Sequence, residues 1–244
     1  MNPPLDPAPL LAADPQVLPP LLIDAREPLV MTPHALHDLR GEQVRELRYP
    51  AGAVVVVGGI PGAGKSTALR RLFGLAADAI EPAFGRSGTL LVDSQQSRKW
   101  WERRFGALPA PLNAIPYPLW RPIVHVTHYR RIRAALRNTR GPVIIHDCGT
   151  RGWVRRLIAF WAARAGRPLH LIMIDTPAEM ALAGQVTRGR QVKPLSFRLH
   201  CRRWQRLIEE VDAGTKPRPA PTSVVVMDRT SISGLRAVSF TPGR

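Results

Sequence analysis

The stretch VVVVGGIPGAGKSTALRRLF, running from Val54 to Phe73, decides the fold. Four valines form a continuous apolar run, as a strand covered on both faces requires. The run ends at Gly58-Gly59, and a turn with few side chains follows. Leu69, Leu72 and Phe73 then recur at helical spacing. The segment therefore reads as strand, glycine-rich turn, helix.

Within that turn Gly59, Ile60, Pro61, Gly62, Ala63, Gly64, Lys65, Ser66 and Thr67 match G-x-x-x-x-G-K-[ST]. Glycines admit positive φ and let several backbone N–H groups approach one phosphate. The helix N-terminus adds its partial positive charge. Lys65 is expected to reach the β- and γ-phosphates of a nucleotide, and Ser66 to ligate Mg²⁺. A GTPase would also need an Asn/Thr-Lys-x-Asp base-reading motif. None of the four lysines, Lys65, Lys99, Lys193 and Lys216, stands in one, so ATP is the expected nucleotide.

From Ala53 onward the chain alternates. Strands are expected at Val54–Val57, Thr89–Asp93, Val143–His146, Leu169–Asp175 and Ser223–Met227. Helices are expected at about Lys65–Ala77, Gln95–Phe105, Ile123–Asn138, Gly152–Ala165, Ala178–Arg188 and Phe197–Val211. Apolar runs separated by helices predict an α/β fold with a parallel sheet covered on both faces. Residues 1 to about 30 are Pro-rich and aperiodic, and the expected division is a Pro-rich arm over 1–48 and one domain over 49–244. Within the arm, Thr32-Pro33 predicts a short helix to about Leu39.

Composition adds a partner class. The chain has 244 residues, 35 Lys and Arg against 18 Asp and Glu, and a formal net charge of +17. All but the four lysines among the basic residues are Arg, a bias that a GC-rich genome would produce. That bias does not explain the scarcity of acids, so anionic partners are expected: phosphates, with nucleic acid among the candidates. One basic stripe, Arg130, Arg133, Arg137 and Arg140, reads as a solvated face or a guide for a phosphate-bearing substrate. No apolar run approaches the roughly 20 residues of a membrane span. The N-terminus lacks the charged and apolar regions of a secretory signal, and two cysteines make no disulfide framework, so a cytoplasmic location is expected.

GGIPGAGKST, LLVDSQQSR, VIIHDCGTR and IMIDTPAEMALAGQVTRGR together resemble the small P-loop kinase group, which includes polynucleotide kinases, zeta toxins and chloramphenicol phosphotransferase-like enzymes. Bacterial proteins of this kind are often described as AAA-type ATP-binding proteins. The resemblance covers roughly Val54 to Met227. It implies a three-layer P-loop NTPase fold with a five-stranded parallel sheet in the order 2-3-1-4-5.

The resemblance also assigns roles. Asp93, ending the second strand, would take the acceptor's proton or orient its hydroxyl; the alternative is an N-cap for the next helix. Arg98, five residues on, is carried over only loosely. Asp147, after Val-Ile-Ile-His, would hold Mg²⁺, and Arg151 would face substrate or phosphate. TPAEMALAGQVTRGRQ reads as the lid. Gln185 stands where a first lid arginine is common, and Arg188 and Arg190 would neutralise the transferring phosphate. Trp100, Trp101 and Trp120 fall where the group builds its acceptor site and read as packing or as a stacking platform. His125 and His128 lack the companions of a metal site. The expected activity is transfer of the ATP γ-phosphate, with Mg²⁺, to a hydroxyl of a small-molecule or nucleotide-type acceptor. The alternatives are a polynucleotide kinase and an ATP-dependent switch or weak ATPase acting on a protein partner.

Overall fold

A computed structural model describes residues 29–85, 88–187 and 192–241. Its first three strands are β1 (Leu29–Met31), β2 (Leu36–Asp38) and β3 (Val44–Pro50). The decisive segment follows as β4 (Val54–Gly58), a turn, and α1 (Lys65–Phe73). Next come the two-residue β5 (Ala83–Phe84), then β6 (Leu90–Asp93), α2 (Ser94–Gly106) and a long α3 (Tyr117–Asn138). Alternation continues through β7 (Val143–His146), α4 (Gly152–Arg164), β8 (Leu169–Ile174), α5 (Ala178–Val186) and α6 (Pro194–Asp212). The described chain closes with β9 (Ser223–Met227), α7 (Arg229–Gly234) and β10 (Ala237–Thr241).

The main sheet has seven strands in the order β2-β9-β8-β4-β7-β6-β5. Every pairing is parallel except β5 with β6. The five expected strands lie side by side within it, and the expected five-stranded sheet is corrected to a seven-stranded mixed one. β2 and β5 were invisible because each is too short to show a period of its own and forms only where a neighbour offers a ladder. β4, β7 and β9 are buried along their whole lengths, which requires cover on both faces. A second, three-stranded parallel sheet joins β1, β3 and β10.

The expected short helix after Thr32-Pro33 is absent. Leu36, His37 and Asp38 instead pair with Val224, Val225 and Val226, and Leu39 N donates to Val226 O at 2.8 Å. An open sheet edge satisfies this backbone better than two helical turns could. β3 crosses the expected boundary at residue 48, so residues 29–48 belong to the folded unit, while the rest of the expected arm, 1–28, lies outside the described residues. Arg40 anchors the same segment, reaching Asp38, Asp175 and Asp212. α3 begins at Tyr117 and not at Ile123, with Pro122 inside its early turns. On α6, Phe197, Trp204 and Val211 of the expected apolar stripe are buried, with Cys201 and Ile208 packed against the core.

Candidate active site

β4 ends in the centre of the sheet, and the turn after it opens at the strand C-termini, where parallel sheets form their ligand crevices. Gly59, Gly62 and Gly64 have φ of 153°, 99° and 97°. The first two also need to be glycine for space. A Cβ on Gly59 would stand 2.9 Å from the Ile174 carbonyl oxygen, and one on Gly62 only 2.0 Å from that of Ala181. At Gly64 nothing lies within 4 Å of a Cβ position, so this backbone borders open space. Lys65 is 7% exposed, and its Nζ donates to the carbonyls of Gly59 at 2.7 Å and Ile60 at 2.9 Å, holding the ammonium across the loop.

The loop lines a cleft of about 930 Å³. Lys65, Ser66, Asp93 and Asp147 all border it, so the structure brings the expected phosphate-facing, hydroxyl-facing and metal-facing residues to one space. The neighbouring ends of β6 and β7 deliver the two acids, with Asp93 opposite His146 in the ladder. Asp93 is 4% exposed. Its Oδ1 accepts from Gln95 N at 2.9 Å, and Gln96 Oε1 accepts from Asp93 N at 2.8 Å, a reciprocal cap on α2. His146 Nδ1 lies 2.8 Å from the same Oδ1, without hydrogen-bond alignment. Burial alone would raise the Asp93 pKa, but the His146 ring and the helix-start N–H outweigh it and bring it down to about 2. Asp93 thus both caps the helix and borders the cleft as an anion.

Asp147 Oδ1 accepts from Gly149 N at 2.8 Å, which fixes its carboxylate at the start of the next loop. A serine hydroxyl and a carboxylate are the hard oxygen donors Mg²⁺ prefers, and the open glycine backbone beside Lys65 suits a triphosphate. No cluster of three or more His, Cys, Asp or Glu among the described residues forms a separate metal site.

Gln185, in the expected lid, is 3% exposed and ties α5 to the loop: its Nε2 donates to Pro61 O at 3.0 Å, and its Oε1 accepts from Val192 N at 2.9 Å. Arg188 and Arg190 lie outside the described residues. The three tryptophans do not line the cleft. Trp100 meets Trp101, and Trp120 meets Phe105 and Tyr117, in an aromatic cluster between α2 and α3. Arg104 covers Trp100 at 3.8 Å, so these rings pack. Tyr117 borders the cleft instead, under Arg98, which also pairs with Glu102 at 2.7 Å. The stripe Arg130, Arg133, Arg137 and Arg140 is exposed, and none of it lines the cleft.

Sequence reading missed His146, His200 and Arg121. All three line the cleft, though His146 stands next to Asp147 in the quoted VIIHD and could have been weighed there. His200 Nδ1 lies 2.8 Å from Thr150 Oγ1. The N-cap alternative for Asp93 is met, and Gln96 completes it as a capping box.

A parallel α/β sheet whose first central strand feeds a glycine loop and helix, with two acids at the adjoining strand ends, defines a P-loop nucleotide-binding protein. The family described as AAA domain matches residues 54–212, and the chain belongs to that family. The resemblance to the small P-loop kinase group is in keeping with this membership. No curated protein matches the sequence. Among solved structures the chain is similar to a gluconokinase from Sinorhizobium meliloti 1021, at 15% identity and TM-score 0.38, covering 76% of this chain and 92% of that one. It is also similar to shikimate kinase from Acinetobacter baumannii, at 14% and 0.38, covering 71% and 82%. A tunicamycin resistance protein of Deinococcus radiodurans gives 15% and 0.38, covering 69% and 90%. Among the described residues no helix is long and apolar enough to cross a membrane.

Proposed function

We propose that the protein is an ATP-dependent kinase that transfers the γ-phosphate to a hydroxyl of a small acceptor. One observation carries this reading: Lys65 and Ser66 at the start of α1, and Asp93 and Asp147 at two adjacent strand ends, border a single cleft. Gly59 through Thr67 would cradle the triphosphate with backbone N–H groups. Lys65 would leave the Gly59 and Ile60 carbonyls for the β- and γ-phosphate oxygens. Ser66 and Asp147 would hold Mg²⁺, which when bound neutralises phosphate charge. Phosphoryl transfer asks mainly for positioning and counter-charge. A carboxylate with a pKa of about 2 is a weak proton acceptor, so Asp93 would orient the acceptor hydroxyl in line and take its proton only as the new bond forms. Arg188 and Arg190 would add positive charge from the lid.

Transfer of γ-labelled phosphate from Mg·ATP into fractionated cell extract tests this, with Lys65→Ala protein as the control. Label in a nuclease-resistant small-molecule fraction is the expected result. Label in chains that nuclease destroys would make the protein a polynucleotide kinase. Free phosphate alone would leave an ATP-dependent switch.

A further inference from the structure

Seven lysines and arginines line the cleft against two carboxylates, Asp93 and Asp147. Several of the seven have protein partners. Lys65 is held by loop carbonyls, Arg70 Nε donates to Ser66 O, Arg98 pairs with Glu102, and Lys99 donates to Ala77 O. Arg121 and Arg151 differ. Among the described residues neither has a carboxylate within ion-pair distance: Arg121 Nε reaches His125 Nε2 at 3.3 Å, Arg151 reaches the Tyr129 side chain, and the His125 and Tyr129 rings stack, which links the two arginines along one wall of the cleft.

The two come from separate elements, Arg121 from α3 and Arg151 from the N-cap of α4. They nevertheless act on the same neighbours. His125 and His200 both have lowered pKa values, first through burial and then through the positive charge of Arg151 and Arg121, so both rings stay neutral beside them. His128, one turn on from His125, also borders the cleft. It is 1% exposed, and both its ring nitrogens lack a hydrogen-bond partner among the described residues. Asp147 and Asp93 act on His128 from the other side, and Asp147 also reaches His125, but neither acid pairs with the two guanidiniums; two unpaired guanidiniums beside neutral rings that can donate are the makings of an anion site.

We infer that this part of the cleft holds a phosphate monoester, and that the acceptor is a small alcohol already carrying a phosphate, gripped by Arg121 and Arg151 while its hydroxyl lies at Asp93. The inference rests on the kinase reading. A phosphate dianion matches two guanidiniums in charge, and its three terminal oxygens leave acceptors for the histidines. In the reaction the acceptor oxygen bonds to the γ-phosphorus as the bond from that phosphorus to the ADP oxygen breaks. The hydroxyl proton leaves through Asp93 to solvent, and ADP and a doubly phosphorylated product depart.

The test is calorimetric titration of inorganic phosphate into protein saturated with Mg²⁺ and a non-hydrolysable ATP analogue, so that the glycine loop is already filled. One further phosphate should bind. Arg121→Gln and Arg151→Gln should each weaken it about ten-fold or more, as loss of a charged hydrogen bond implies, with analogue affinity within about two-fold of the parent. Absence of phosphate binding, or binding indifferent to both variants, overturns the anion site and leaves the kinase reading standing. Acetate binding as tightly as phosphate overturns the phosphate assignment. Tighter binding of a 5′-phosphorylated oligonucleotide than of phosphate overturns the small acceptor. Failure of the analogue itself to bind removes the kinase reading, and this inference falls with it.

Discussion

His146 Nδ1 stands 2.8 Å from Asp93 Oδ1, where β6 and β7 end side by side at the mouth of the cleft. The same oxygen accepts the Gln95 N–H that opens α2. One carboxylate atom therefore joins a strand end, a helix start and the cleft wall. Its ionised state is held by structure and does not depend on a bound substrate.

That double role separates two substitutions. Asn caps a helix about as well as Asp, whereas Ala forfeits about 1 kcal/mol of cap. Asp93→Asn should therefore keep the cap and lose only the stabilisation that comes from the Asp93 charge, while transfer falls about 10²-fold or more. Asp93→Ala should lose both. KM for ATP should stay within a few-fold in each, and steady-state kinetics with thermal unfolding read all three quantities. A collapse of ATP affinity with transfer preserved would make Asp93 a nucleotide-facing residue.

Lys65→Ala removes the ammonium that the loop carbonyls hold in place. Loss of such a donor to developing charge costs about 10²–10³ in turnover. Stability should change little, because loop carbonyls beside an open cleft can be rehydrated. Turnover equal to the parent's would refute the assignment of this loop.

Gly62 and Gly64 share a left-handed backbone but differ in surroundings. Gly64→Ala meets nothing within 4 Å and should cost about 1–2 kcal/mol of backbone strain. Gly62→Ala drives a methyl to 2.0 Å from the Ala181 carbonyl, so α5 must move away from the loop. It should be clearly the less stable in denaturant titration. Equal midpoints for the two variants would mean that α5 does not pack on the loop as described.

Stability should rise with pH between about 4 and 6.5. His170 and His200 have pKa values lowered by burial to about 4 from 6.5, so below 6.5 the unfolded chain takes up protons that the folded chain refuses. Their stabilising effect is whole above 6.5 and is lost as pH falls toward 4. Asp93, brought down to about 2 from 3.8, adds a second loss as pH falls from about 4 toward 2. Melting temperatures at pH 4.5, 5.5, 6.5 and 7.5 should climb and then level, on the histidine values given. His170→Gln should flatten the climb. A melting temperature that fell across that range would contradict the buried, neutral state of these rings.

Much of the candidate cleft lining was legible because its signals are local. The glycines of the loop answer to φ and to close approach, and Lys65 and Ser66 follow at a set spacing on the emerging helix. Asp93 ends an apolar run, and Asp147 follows one after a single histidine, where polar residues are expected as a strand meets a crevice. The arginines were harder. Arg130, Arg133, Arg137 and Arg140 drew attention through their regular spacing, yet they point to solvent. Arg151 was reached through the family resemblance, but Arg121 carries no pattern, and nothing local ties two residues 30 apart on different elements.

The sequence by itself determined the strand–loop–helix, the alternation of buried strands with helices, and the acids at two strand ends. Those features follow from the side-chain period and backbone freedom of a few consecutive residues. Tertiary structure alone decided that Leu36–Asp38 is a strand and no helix, that β5 pairs antiparallel at the far edge, and that His146 sits against Asp93. It also decided which arginines enter the cleft. In each case the deciding partner lies far along the chain, and only folding brings the ladder edge, the opposing ring or the shared cleft wall within reach.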